Sequence, residues 1–200
     1  MTPKAPGATI VRIISKPATL ALTISALLAG CAGISGGDAP IDQAFIDMMV
    51  PHHESAIAMA EIAQERAEQD ELRGLADDIV AGQSAEIAQM QAWREEWFGS
   101  ADTPSMEEMP MLPGMSMPAG HSMSGGTMDM AAEVDDLRNA EPFDRFFIDA
   151  MIRHHEQAVE AAEIVLAETD RDEIRELATA IIEAQTREIE QLRDWRAEWY

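Results

Sequence analysis

The stretch Phe45-Ile46-Asp47-Met48-Met49-Val50-Pro51-His52-His53-Glu54 decides how this chain is read. It recurs as Phe147-Ile148-Asp149-Ala150-Met151-Ile152-Arg153-His154-His155-Glu156, 102 residues later. In both copies a histidine pair follows a methionine by one helical turn, inside an apolar setting. Phe45, Met49, His52, Ala56, Met59 and Ala63 are spaced alternately by four and three. That is the stripe of a helix buried along one side. Ile46, His53 and Ala60 widen the buried face, while Asp47, Glu54 and Glu61 mark a solvated one. The spacing predicts a helix from about Asp42 to Glu68. Pro51 should bend it, because proline removes a helical hydrogen bond.

Working outward, a second helix is expected from about Asp70 to Trp97. Its stripe is Leu72, Ala76, Ile79, Gln83, Glu86, Met90, Trp93 and Trp97. Gln83 and Glu86 interrupt an otherwise apolar face, and a buried carboxylate needs a partner or a metal. The short turn near residue 69 makes the pair an antiparallel hairpin. Residues whose numbers sum to about 138 then share a level, which sets His52 beside Glu86 and Met49 beside Met90.

The whole hairpin is duplicated. Residues 45–98 align with 147–200 without a gap, and 25 of the 54 positions are identical, enough to make this an internal repeat. The second copy keeps His154, His155, Gln185, Glu188, Trp195 and Trp199. Its last helix carries the stripe Ile174, Ala178, Ile181, Gln185, Glu188, Leu192, with Asp170 and Glu173 as an expected cap. Two hairpins with wide apolar faces should bury them together. The expected fold is all-α, a four-helix bundle built from residues 42–98 and 142–200 as one domain.

Residues 99–141 differ in kind. They hold eight of the fourteen methionines, with proline and glycine between them, in no period that would bury them. A loosely ordered linker is expected. Thioethers are soft ligands suited to Cu(I), so Met109, Met111, Met115, Met117, Met128 and Met130, with His121, are linker metal candidates.

The N-terminus reads as an export signal. Lys4, Arg12 and Lys16 precede the apolar run Ala18–Ala29, too short to span a membrane. Leu28-Ala29-Gly30-Cys31 resembles a lipobox, with Cys31 as the lipidated residue. Residues 1–30 are therefore expected to be a lipoprotein signal peptide and 31–41 a flexible tether. The product would be extracytoplasmic, lipid-anchored to a bacterial membrane at the cell surface or in the periplasm.

A formal net charge of −23 excludes nucleic acid as a partner, since phosphate binding needs a basic face. The single cysteine rules out an intrachain disulfide and a cysteine-rich zinc site. The doubled histidine pairs read as a metal site, with structural polar layers as the alternative. The candidate ligands are Met49, His52, His53, Gln83, Glu86 and Met90 in the first copy, and Met151, His154, His155, Gln185 and Glu188 in the second. Copper is the expected ion, Cu(I) before Cu(II), with other transition metals as alternatives.

The motif Met-x-x-His-His-x-x-Ala, followed by Gln-x-x-Glu-Ile and an aromatic ending, in duplicate behind a lipobox, resembles the bacterial "domain of unknown function 305" family. The resemblance covers both repeats. It implies a ferritin-like helical bundle, secretion or membrane anchoring, and an association with copper binding and tolerance. A copper-handling protein is a further expected partner. Ala150, Ala161 and Leu192 depart from Met48, Met59 and Met90 of the first copy. Two other readings compete. A di-metal carboxylate oxidase would use Glu-x-x-His on two helices, and no histidine here has an acid three residues before it. No serine or cysteine nucleophile arrangement appears either, so no enzyme activity is expected. The other reading is a helical interaction module without a metal.

Overall fold

The computed structural model describes residues 40–116, 123–124 and 127–200, with only the backbone described at 123, 124 and 127. The signal segment 1–30, Cys31, the tether as far as residue 39, Met117 and His121 lie outside the described residues. The described residues form one compact unit. Its frame is four long helices: α1 (Ile41–Arg66), α2 (Asp70–Phe98), α4 (Phe143–Glu168) and α5 (Asp172–Trp199). Between α2 and α4 the chain forms a 3-10 turn (Met106–Glu108), three two-residue strands and a short helix α3 (Ala131–Arg138). The strands β1 (Met109–Pro110), β2 (Met123–Ser124) and β3 (Thr127–Met128) pair antiparallel in the order β1-β3-β2. The fold is the all-helical four-helix bundle that the sequence predicts.

Every residue of the predicted α1 stripe is fully buried, from Phe45 to Ala63. The helix runs through Pro51 without a break. α1 and α4 pack on each other at the centre, and each is lined by its own hairpin partner. The apolar side chains divide into two clusters. One joins Phe45–Val50 of α1 to Ala158–Val165 of α4, Ile174–Ile181 of α5 and Met90 of α2. The other joins Ala56–Ala63 of α1 to Phe143–Met151 of α4, Leu72–Ile79 of α2 and Leu192 of α5. α1 and α4 are therefore antiparallel, and both pass through a polar waist between the clusters. Each buried Leu, Ile, Phe or Met contributes roughly 1.5–3 kcal/mol by leaving water, so the clusters hold the waist in place.

The duplication shows in reciprocal clamps that the sequence reading missed. Asp144 accepts hydrogen bonds from the backbone N–H groups of Glu68 (2.9 Å) and Gln69 (3.0 Å). Its counterpart Asp42 accepts from the Thr169 hydroxyl at 2.5 Å and pairs with Arg171 at 3.2 Å. The first helix of each hairpin thus closes the turn of the other. The cap expected at Asp170 does not form. α5 begins at Asp172 without a side-chain cap, and Thr169 accepts the Arg171 N–H instead.

The described parts of the crossing segment are more ordered than expected. Met109, Leu112, Met128 and Met130 are buried in the first apolar cluster. Arg66 donates to the carbonyls of Leu137, Arg138 and Ala140 at the end of α3 and pairs with Glu141. Sequence periodicity cannot reveal such burial. These methionines are covered by the bundle's flank, not by a face of their own element.

Candidate metal centre

At the waist, α1 supplies His52, His53 and Ser55. α4 supplies His154, His155 and Gln157, while α2 and α5 add Gln83 and Gln185. All eight are buried, in a layer flanked by apolar residues on both sides. Adjacent helical residues point about 100° apart, so the two histidines of each pair face different neighbours. His52 turns inward and meets His154, ring centroids 3.8 Å apart and tilted by 41°. His53 turns toward α2, where Nε2 lies 2.7 Å from Glu86 Oε2. His155 repeats that contact with Glu188 at 2.7 Å, though off the hydrogen-bond direction.

This corrects the expected pairing of His52 with Glu86. The level was nearly right, but the rotation about α1 selects His53. Both glutamates are partly exposed, with side chains 23% accessible, and close the layer from outside.

The hydrogen bonds fix tautomers. Ser55 Oγ donates to the His52 carbonyl at 2.7 Å and lies 2.6 Å from His154 Nε2. A hydroxyl has one proton, so His154 Nε2–H must donate to Ser55, which leaves the lone pair on Nδ1. Likewise His53 Nε2–H donates to the Glu86 carboxylate. A carboxylate or hydroxyl that orients a histidine in this way raises its strength as a metal ligand. Ser55 escaped the sequence reading, although its place three residues after His52 puts it on the same helical face.

The layer is under-satisfied. Both ring nitrogens of His52, Nδ1 of His53 and of His155, and Oε1 of Gln83 and Gln185 are buried without a hydrogen-bond partner. Gln157, the counterpart of Ser55, has neither amide atom bonded. Burial pushes the His52 pKa well below its usual value, and the nearby His53 and His155 add to the effect. The His154 main chain pulls weakly the other way. His52 is thus neutral, the form that binds metal ions.

Among the described residues, no three of His, Cys, Asp and Glu are grouped to hold a metal by themselves. An ion at the waist would complete its shell with neutral donors. Gln83 and Gln185 lie in the layer. Met49 and Met151, fully buried, sit one turn before the inner histidines on the same faces. Met49 also belongs to the first apolar cluster, where Met90, Met109, Met128 and Met130 pack with it. Met111 and Met115 lie half-buried at its edge.

A two-hairpin bundle with a histidine layer at its pseudo-twofold centre defines the class. The chain belongs to the family described as domain of unknown function DUF305, whose model matches residues 42–196. Among solved structures, it is 41% identical to CopM in the Cu(II)-bound form, with a TM-score of 0.65 over 80% of this chain and 97% of that one. The Cu(I)-bound form of CopM aligns at 36% identity and TM-score 0.63, over 80% and 97% of the two chains. A DUF305 protein from Streptomyces coelicolor, described as secreted, aligns at 25% identity and TM-score 0.65, over 80% and 93%. No curated protein matches the chain. No helix among the described residues is long and apolar enough to cross a membrane.

Proposed function

We propose that this protein binds copper at the histidine layer and serves outside the cytoplasm to buffer the ion or to confer tolerance to it. The observation that carries the reading is the set of buried ring nitrogens on His52, His53 and His155 that no protein group satisfies. Each unsatisfied buried polar atom costs roughly 1–3 kcal/mol, and a ligand that accepts their lone pairs would recover that cost. Imidazole nitrogen suits copper among several transition metals, and the likeness to copper-bound CopM favours copper.

In this reading the imidazole ligands are drawn from His52, His53, His154 and His155, no three of which are grouped around one point. Glu86 and Glu188 orient the outer rings, while Gln83, Gln185, Met49 and Met151 are the neutral donors nearest to hand. The net charge of −23 draws cations toward the surface. A lipid on Cys31 would hold the bundle at a membrane, and His121 with the crossing methionines would gather the ion. Cu(I) is the favoured state where thioethers take part. The test is a chelator-competition titration of the wild type against His52→Ala/His53→Ala and His121→Ala. The double variant should lose at least tenfold in affinity and His121→Ala far less. Equal losses would move the site to the crossing segment.

A further inference from the structure

The four histidines of the waist are fully buried. Two carboxylates join them to solvent. Glu86 and Glu188 are each 23% accessible at the side chain, and each lies 2.7 Å from a buried imidazole, His53 or His155. Their equal exposure leaves charge to separate the two approaches.

The two copies differ there. In the second hairpin, Glu156 of α4 is held by Arg193 of α5 at 2.5 Å. Arg187, next to Glu188 in the chain, is exposed. The counterparts of Arg187 and Arg193 in the first hairpin are Ala85 and Gln91, so both cations are missing. Glu54, the counterpart of Glu156, has no ion pair or hydrogen bond among the described residues. Glu156 reaches α5, so the repeat sets Glu54 on the seam between α1 and α2, which Glu86 closes. The pairs Asp47–Arg94 and Asp149–Arg196 occur in both copies and do not break the symmetry. Behind Glu86, two buried atoms lack a hydrogen bond: Nδ1 of His53, and Oε1 of Gln83, one turn earlier on α2.

We propose that the ion reaches the histidine layer through the first hairpin, captured by Glu54 and passed inward beside Glu86, while the Glu156–Arg193 pair turns cations away from the second. This rests on the copper reading of the layer and adds the route into it. Two carboxylates without a cation make a negative local potential, which raises the local concentration of cations and their rate of association. An arginine across the equivalent seam cancels one of those charges. Carboxylate oxygen suits harder ions than copper, whereas imidazole suits copper. The rim would therefore hold the ion weakly and release it to the layer.

Stopped-flow quenching of tryptophan fluorescence by Cu(II) reads the association rate. The protein with His52, His53, His154 and His155 all changed to glutamine gives the background. At low salt, Glu54→Gln should slow association by about threefold or more, and Glu54→Asp, which keeps the charge, should not. Gln91→Arg gives the first hairpin the arginine of the second and should slow association as much. Glu156→Gln should leave the rate within about twofold of the wild type. High salt should erase the deficit of Glu54→Gln, which a merely structural role would not do. Unchanged rates in Glu54→Gln and Gln91→Arg, or an equal slowing in Glu156→Gln, would overturn the route and leave the layer standing. Quenching that survives the loss of all four histidines would overturn the layer reading, and the route with it.

Discussion

His52 and His154 face each other across the pseudo-twofold axis, their rings 3.8 Å apart, yet their surroundings are not equivalent. His154 donates to Ser55, whereas both nitrogens of His52 lack a hydrogen bond. The repeat places Gln157 where symmetry would put a second serine. Ser55→Ala should therefore destabilise the metal-free protein by about 1–3 kcal/mol, the cost of stranding a buried donor. Gln157→Leu, which removes two unbonded buried atoms, should be neutral or stabilising. Denaturant midpoints of the two variants check this, and equal losses would refute the asymmetry.

Stability should depend on the charge of His52. Its folded pKa is depressed by burial, so below about pH 6.5 the unfolded chain binds a proton that the folded one refuses. Stability from this group is complete above pH 6.5 and is lost as pH falls toward the depressed value. The slope is about 1.4 kcal/mol per pH unit while that one proton is at stake. Denaturant unfolding of the metal-free protein at pH 7.5, 6.5 and 5.5 should show this loss. His52→Gln should flatten the profile by one proton, and parallel profiles would contradict the shift.

The clamps tie each hairpin to the other's turn. Asp144→Ala leaves two backbone N–H groups without their acceptor and should cost about 1–3 kcal/mol. Asp42→Ala should cost a similar amount. The two sites lie at different turns, so the losses should add within about 0.5 kcal/mol. Urea melts of the single and double variants read this directly.

The buried methionines of the crossing segment belong to the core. Met109→Ala should cost about 2–5 kcal/mol, as for other buried methionines. Met111→Ala, at a half-buried position, should cost clearly less. Thermal melts that ranked them the other way would mean that β1 does not hold this position in solution.

The bundle was legible in the sequence because a helix reports its buried face through spacing. The stripe from Phe45 to Ala63, the interruption at Gln83 and Glu86, and the 102-residue repeat together gave the helices, the hairpins and the height of the polar layer. Spacing along one helix does not set its rotation against the next. His53, not His52, therefore meets Glu86, and the inner pair His52–His154 was not foreseen. The clamps at Asp42 and Asp144 join residues 127 and 76 positions from their partners, a distance no local pattern spans. The burial of Met109, Met128 and Met130 depends on a surface that the bundle supplies.

The central claim is that copper is bound by the imidazoles of the waist. Pulsed EPR of the Cu(II)-loaded protein tests it most directly, because coordinated imidazole leaves a 14N modulation. That modulation should be present in the wild type and absent when His52, His53, His154 and His155 are all changed to glutamine, with His121 kept. An unchanged spectrum in that variant would contradict the claim and place the ion elsewhere on the chain.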